Sequence, residues 1–191
     1  MNKKNTLLYA SAIALTVLLS ACAANIKHLV IAPEVLSVPT SSISTSSIAI
    51  STSDLRPAQH MLQIIKEGQA ATLLTSQSSF AGIVNSTLNS AFKKSGVQVS
   101  STGTNVLNVA INKALVNVNQ SMMKYTATNE IVLNITIDNG EQTLTKRYRI
   151  SGKSNGPLQA DIAVLERDFN QQLSKVIRNM ITDPQLIDFM R

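Results

Sequence analysis

The sequence predicts an α+β domain, a two-layer sandwich in which two amphipathic helices cover one face of a mainly antiparallel sheet, in the order β-α-β-β-β-α. Two observations predict it. Apolar residues recur at intervals of three and four in two separate segments, and between those segments they alternate with polar residues. The 191 residues suit a single core, and a hydrophobic content of 44% is enough to fill it.

The domain is predicted to start with a strand and a small hairpin. Ile48 and Ile50 alternate with small residues before the turn signal Asp54-Leu55-Arg56-Pro57. Residues 61–74 then suit a hairpin that turns at Glu67-Gly68.

The first helix follows this hairpin. Ser79 suits its N-cap, and Lys93, Lys94 and Gly96 close the pattern. We interpret the apolar stripe as the core face of the helix rather than a surface for a partner. The stripe consists of Phe80, Ile83, Val84, Leu88, Ala91 and Phe92.

The pattern then changes to a period of two, which predicts strands. Asp138-Asn139-Gly140 predicts a hairpin with a two-residue turn, since Asn-Gly tolerates positive φ at both central positions. The return strand places Tyr148 on an apolar face and Arg147 on a polar one, so one side of the sheet faces water. The alternating apolar residues are Leu107, Val109, Ile111 and Leu115 in one set, and Tyr125, Ala127, Ile131, Leu133, Ile135 and Ile137 in the other.

The second helix is predicted to cover the apolar face of the sheet. Asp183-Pro184 ends it, and Pro184 suits the first position of a short terminal helix. The stripe of the second helix consists of Ile162, Leu165, Phe169, Leu173, Val176, Ile177 and Met180.

The N-terminus carries an export signal. Lys3 and Lys4 precede an apolar run, residues 7–19, which is too short to cross a bilayer of about 30 Å comfortably. The run ends in Leu19-Ser20-Ala21-Cys22, which resembles the bacterial lipobox, with Cys22 as the site of lipid attachment. An ordinary signal peptide cut nearby is the alternative.

Three regions follow from this motif. Residues 1–21 are the predicted lipoprotein signal peptide, residues 22–46 the lipidated N-terminus with a Ser/Thr-rich tether, and residues 47–191 a single α+β domain. Residues 26–38 are either an extended arm against the domain or more linker. Ala23 follows the cysteine where a retained lipoprotein has Asp, so we expect an outer-membrane protein, held by acyl chains and facing the periplasm.

Composition argues against several classes of function. A disulfide scaffold is excluded by the single cysteine, and nucleic-acid binding is disfavoured by 4% aromatic residues and no tryptophan. The net charge of +6 comes with only 15% charged residues. His28 and His60 are far apart in the sequence, so we expect no metal site and no cofactor.

One short segment matches a motif that surrounds a catalytic serine in some hydrolases. Gly152-Lys153-Ser154-Asn155-Gly156 matches G-x-S-x-G, and it lies between a predicted strand and helix. Both histidines precede Ser154, whereas that fold places the acid and the histidine after the serine. We therefore predict a flexible connection here and no catalytic residues. Glu166 and Asp168, beside Arg167, suit a solvated helix face.

A basic cluster lies on the return strand and just after it, with Arg147 and Arg149 on the outward face and Lys146 on the inner one. Lys146, Arg147, Arg149 and Lys153 could meet an anionic envelope polymer or lipid headgroup, which arginine suits by its planar fork. The alternative is an edge strand whose charges protect it from aggregation.

Several short motifs occur in order along the chain. They are the lipobox, Asp54-Leu55-Arg56, Lys124-Tyr125, Thr145-Lys146-Arg147-Tyr148-Arg149, Gly156-Pro157-Leu158-Gln159-Ala160 and the tail from Asp183 to Phe189. With them the chain resembles the YajG-like family of bacterial lipoproteins over nearly its whole length. The resemblance implies an outer-membrane lipoprotein without recognised enzymatic residues. The Ser/Thr-rich segment departs from the family's pattern.

We therefore expect a non-enzymatic, lipid-anchored module that binds an envelope protein or an anionic envelope polymer. Two alternatives are a small envelope hydrolase acting through Ser154 and a structural subunit of a surface assembly.

Overall fold

The computed structural model describes residues 28–35 and 47–191. The predicted signal peptide, Cys22 and residues 36–46 lie outside the described residues. Within the described residues the chain forms a mixed, curled sheet of seven strands together with three helices, so the α+β class is confirmed. In chain order the elements are β1 Ser47–Asp54, β2 Leu62–Lys66, β3 Thr72–Leu74, α1 Phe80–Lys94, β4 Gln98–Val99, β5 Asn105–Gln120, β6 Lys124–Asp138, β7 Thr143–Pro157, α2 Ile162–Ile181 and α3 Pro184–Phe189.

Strand β5 organises the sheet. β6 pairs antiparallel with one edge of β5, and β7 pairs antiparallel with β6. Along the other edge of β5 lie β1 and then β2, both parallel to it. β4 lies parallel beside β1, and β3 lies antiparallel beside β2.

The sheet is mixed: its longest pairings, β5–β6 and β6–β7, are antiparallel as predicted, whereas the parallel pairings of β1, β2 and β4 were not predicted. The simple order β-α-β-β-β-α also omits β4 and the β2–β3 hairpin, although that hairpin was expected separately and is confirmed. The physical reason is that a period of two identifies a strand but carries no information about its partner or direction. The two-layer sandwich stays a prediction.

A β-bulge at Asn112 changes the phase of β5. The pairing with β6 shifts between Ile111 and Lys113, and one extra residue moves each later side chain to the opposite face. Leu115, predicted to share the face of Ile111, therefore lies on the other face. The buried apolar residues of β5 are odd-numbered before the bulge and even-numbered after it: Leu107, Val109, Ile111, Ala114, Val116 and Val118.

The β6–β7 hairpin forms as predicted, but its turn lies one residue later. The Asn139 N–H donates to the Gln142 carbonyl at 3.2 Å, so Gly140 and Glu141 are the central residues. Gly140 has a φ of +90°, the positive value that a type II′ turn needs at its first central position. The side-chain oxygen of Asn139 accepts from the Gln142 N–H at 2.9 Å, so Asn139 stabilises the turn from its edge.

The helices begin and pack as their patterns predict. The Ser79 hydroxyl accepts from the Gly82 N–H at 3.3 Å and caps α1. α1 packs against β1, while α2 packs against β6 and β7. Phe169 of α2 is 1% exposed, and its ring centroid lies 6.1 Å from that of Phe80. No helix in the two described ranges combines the length and the apolar character needed to span a membrane.

Residues 28–35 form an extended arm on the domain, which decides between the two predicted alternatives for them. The N–H groups of Val30 and Ala32 donate to the side chains of Glu166 at 2.9 Å and Asn170 at 3.0 Å, both on α2. The Ser/Thr-rich segment therefore joins a docked arm to β1. The apolar side chains of the arm that are buried are Leu29, Ile31 and Val35.

Candidate functional site

Strand β7 places its charged side chains on two opposite faces of the sheet. Arg147 and Arg149 occupy exposed odd positions, as predicted, and Lys153, expected just after the strand, continues the same face within β7. Lys146 occupies an even position, with Tyr148, whose ring packs against the core. Successive side chains of a strand point to opposite faces. Lys146 therefore does not belong to the predicted basic patch. The other three residues lie on what we call the open face, the side of β5, β6 and β7 opposite the hydrophobic core.

Glu130 of β6 binds two cations on the open face. Its Oε2 lies 2.5 Å from Lys113 Nζ, and its Oε1 lies 2.7 Å from Arg149 Nε. The hydrogen bond from Lys113 is the main cause that holds the pKa of Glu130 below its ordinary value, with a further contribution from Arg149. The carboxylate is therefore ionised at neutral pH, and this triad carries a net charge of +1, two cations minus one anion.

Val132 lies beneath the triad. In the strand register it is opposite Lys113 of β5 and Arg149 of β7. It is 2% exposed, although it is not part of the core cluster. Long cationic side chains cover apolar surface with their stems and keep their charged ends in water. The register thus places Lys113 and Arg149 on either side of Val132, where their stems can cover it.

Arg147 and Lys153 flank the triad along β7. In the register Arg147 is opposite Asn134, and Lys153 is opposite Thr128. The neighbouring outward side chains of β6 and β7 are mostly Asn, Ser and Thr. The open face is therefore a polar surface with a basic centre, and hydrogen-bonding groups surround its charges.

Lys146 has a structural role on the opposite face. Its Nζ pairs with Asp183 Oδ2, which also accepts a hydrogen bond from Tyr148 Oη at 2.7 Å. Burial raises the pKa of Tyr148, and the Asp183 carboxylate raises it further. Burial alone would raise the pKa of Asp183 too, but the hydrogen bonds from Lys146 and Tyr148 outweigh it and lower that pKa. We call Lys146, Tyr148 and Asp183 the Asp183 cluster. Because Asp183 is the N-cap of α3, the cluster links the start of α3 to β7.

The G-x-S-x-G segment is part of a strand. All five residues, 152–156, lie within β7, and Ser154 pairs with Ala127 of β6. The predicted flexible connection is therefore wrong. A nucleophile elbow needs a sharp turn from strand to helix, so the segment lacks the geometry that the Ser154 alternative requires.

The two glycines of this segment have a packing role. A Cβ at Gly152 would lie 2.7 Å from Asn129 Oδ1 and 3.0 Å from Gln172 Nε2 of α2. A Cβ at Gly156 would lie 2.7 Å from Cε1 of Tyr125. Both positions let a neighbouring side chain cross the strand, which accounts for the glycines without any catalytic role.

Three of the other residues considered for chemistry have local partners. His28 shares a hydrogen bond with the Thr75 hydroxyl at 3.1 Å, Glu166 binds the arm, and Asp168 pairs with Arg167 at 3.0 Å. Within residues 28–35 and 47–191, no three side chains of His, Cys, Asp or Glu form a group suited to a metal ion.

Sequence reasoning missed Lys113 and Glu130. Both are charged residues within alternating strands, which was the available signal. Lys113 follows the bulge, however, and simple alternation places it on the wrong face.

The fold is shared with solved structures of low sequence identity. A Xanthomonas campestris protein matched by the DUF330 family model has a TM-score of 0.60 at 12% identity, over 85% of this chain and 97% of that one. A putative neuraminyllactose-binding hemagglutinin homolog from Helicobacter pylori has a TM-score of 0.50 at 12% identity, over 86% and 96% of the two chains. At such identities the likeness concerns the fold alone.

Comparison by sequence identifies the family. No curated protein matches the chain. A family model described as uncharacterised lipoprotein matches residues 33–191, which include every strand and helix of the domain. The ordered motifs from Asp54-Leu55-Arg56 to the C-terminal tail lie within that range. The chain therefore belongs to the YajG-like family of uncharacterised bacterial lipoproteins.

Proposed function

We propose that this protein is a non-enzymatic binding module of the bacterial outer membrane, anchored by a lipid on Cys22 and facing the periplasm. Its open face binds an anionic partner in the envelope, either a protein or a cell-wall polymer. Membership of a lipoprotein family supports the anchor, and Ala23 after the cysteine supports the outer membrane as the destination.

The observation that carries the proposal is the triad of Lys113, Glu130 and Arg149 above Val132. Ion pairing with Glu130 restricts Lys113 and Arg149 before a ligand binds, so they lose less conformational entropy on binding. Arg147 adds a planar guanidinium that suits a carboxylate or phosphate. The surrounding Asn, Ser and Thr side chains offer further hydrogen bonds to a polar partner.

A binding role also suits one protein that shares the fold. The Helicobacter pylori structure is named as a homolog of a neuraminyllactose-binding hemagglutinin, which is a binding description rather than a catalytic one. Fold likeness does not transfer a ligand, so it supports only the class of function.

Photo-crosslinking in living cells tests the open face. A photoreactive amino acid replaces Thr128, next to Lys153, in the full lipidated chain, and a second strain carries it at Gln171 on α2. We expect an adduct from position 128, with a protein or with isolated cell-wall sacculi, and none from position 171.

A matched pair of charge variants completes the experiment. Arg147→Gln with Lys153→Gln removes two charges from the open face, and Arg167→Gln with Lys175→Gln removes two exposed charges from α2. We expect only the first pair to reduce the adduct. Equal adducts in both would overturn the proposed surface.

The anchor is tested separately. We expect radiolabelled palmitate on the wild-type chain and none on Cys22→Ser, which also leaves the membrane fraction. A Cys22→Ser chain that is still processed and retained would contradict the anchor.

A further inference from the structure

Three exposed apolar side chains lie together at one end of the sheet. Met122 and Met123, in the turn between β5 and β6, are 95% and 81% exposed, and Leu158, directly after β7, is 66% exposed. The Leu158 N–H donates to the Met123 carbonyl at 2.8 Å, which joins the two segments. We call these three residues the apolar tip.

Leu158 is in a costly conformation. Its φ is +60°, in the left-handed region that residues with a Cβ rarely adopt, at a cost of about 1–2 kcal/mol. Such conformations persist only where the surrounding structure holds them, and they concentrate at functional positions. Because the Leu158 side chain is exposed, packing in the hydrophobic core does not offset this conformational cost. The conformation therefore presents Leu158 beside Met123 at the surface, and exposed apolar clusters mark interaction surfaces.

The arm shows which end of the domain the N-terminus approaches. Leu29 forms a parallel bridge with Ser76, so the arm runs in the direction of β3, which is opposite to β5. It also follows α2, contacting Glu166 first and Asn170 next. β5 ends, and α2 begins, at the end of the sheet that carries the apolar tip. The arm therefore begins toward the end of the sheet that carries the apolar tip, and from there the chain runs away from the tip.

The length of chain before the arm limits where the anchor can be. Five residues, 23–27, separate Cys22 from His28. At a maximum of about 3.3–3.6 Å per residue, Cys22 lies within roughly 20 Å of His28.

This reach can be compared with the length of β5. Leu74 comes just before the residues that contact the arm. It pairs with Leu62 of β2, and Leu62 pairs with Val116 of β5. The arm therefore starts near the level of Val116. At about 3.3 Å per residue, the tip end of β5 at Gln120 is roughly 13 Å from that level, and the opposite end at Asn105 is roughly 36 Å away. Measured along the strand, a reach of roughly 20 Å covers the level of the tip end and falls short of the level of the opposite end.

We infer that the apolar tip rests on the bilayer that holds the lipid on Cys22, with Met122, Met123 and Leu158 in the headgroup region. The inference rests on the proposed function for one element, the acylation of Cys22. Met123 lines one recess with Lys124 and Lys153, and Glu67 lies across a second recess from Lys124. The charge beside the tip is therefore net positive, so attraction to anionic lipid adds to the apolar contact and weakens in high salt. In this orientation the long strands rise from the membrane, and the loop at residues 139–142 is the end farthest from it.

Spin labelling of the full lipidated protein tests the orientation. The chain has one cysteine, and acylation of Cys22 blocks it, so Met123→Cys carries the only free thiol for a nitroxide. Glu141→Cys, in the exposed loop at the opposite end, is the matched control. The proteins are reconstituted in vesicles of phosphatidylethanolamine with a minority of phosphatidylglycerol, and flotation first establishes whether each variant is anchored.

Collision with oxygen, which concentrates in lipid, is then compared with collision with a water-soluble nickel complex. We expect the ratio of oxygen to nickel collisions at position 123 to rise severalfold over the same protein in solution, and to stay unchanged at position 141. A label at Leu158→Cys behaves like the label at 123. Protein that floats while positions 123, 158 and 141 are all equally accessible to nickel overturns the inference and leaves the anchor intact. Protein that does not float overturns the anchor and the inference together.

Discussion

The guanidinium of Arg56 is buried against the carboxylate of Asp54, two positions earlier in the chain. Arg56 Nε donates to Asp54 Oδ1 at 2.9 Å, and Nη2 donates to Oδ2 at 2.7 Å. Nη1 donates to the Ala114 carbonyl at 3.3 Å, and the Phe80 ring centroid lies 4.9 Å from the guanidinium carbon. The pair sits where β1 ends and before β2 begins, opposite the bulge in β5. The Asp54-Leu55-Arg56 motif thus joins two strands that share one edge of β5.

Replacing Arg56 tests how much this junction stabilises the fold. Arg56→Met leaves the Asp54 carboxylate without its partner, and we expect the free energy of unfolding to fall by about 3–5 kcal/mol. The matched control is Arg167→Met, which removes an exposed pair with Asp168 and is expected to change stability by less than about 1 kcal/mol. Urea denaturation of both variants gives the two values. Equal losses would show that the buried pair has no special role.

The Asp183 cluster predicts a dependence of stability on pH. The pKa of Asp183 is lower in the folded protein than in the unfolded chain, so the ionised carboxylate favours the folded state. This stabilisation is fully present above the unfolded pKa of about 4, and it is lost as the pH falls through the folded pKa. We expect the difference in unfolding free energy between the wild type and Asp183→Asn to shrink as the pH is lowered. Asp188→Asn, at an exposed pair with Arg191, serves as the control and is expected to change the stability at neutral pH much less than Asp183→Asn does. A difference for Asp183→Asn that stays constant with pH would contradict this account.

Two glycines predict opposite effects of the same substitution. A Cβ at Gly103 would lie 2.4 Å from the carbonyl carbon of Ile48 in β1, so Gly103→Ala is expected to destabilise the fold by about 1–3 kcal/mol. A Cβ at Gly82 in α1 has its nearest neighbour at 3.6 Å, so Gly82→Ala fits and is expected to stabilise by about 0.5–1 kcal/mol. The melting temperatures of the two variants, each compared with that of the wild type, test both expectations. Melting shifts of the same sign would show that space at these positions is not the cause.

The candidate site was predicted only in part. Arg147 and Arg149 were placed on the polar side of the return strand because alternation within one strand is a local property. Lys153 was expected in a flexible connection after the strand, whereas it lies on the same face within β7. Lys113 and Glu130 were missed because their place beside Arg149 depends on the pairing of three strands. The role of Lys146 depends on Asp183, 37 positions later, which alternation along β7 does not reveal.

The sequence by itself determined the three helices, the strands other than β4, the Ser79 cap of α1, most of the core-facing residues and, through the order of its motifs, the lipoprotein family. Each of these depends on residues that are near one another in the chain. Only the tertiary structure decided the parallel pairing of β1 and β2 with β5, the place of the bulge, the docking of residues 28–35 and the strand conformation of the G-x-S-x-G segment. These features depend on contacts between distant segments, and a single extra residue in β5 is enough to exchange the faces of all the side chains that follow it.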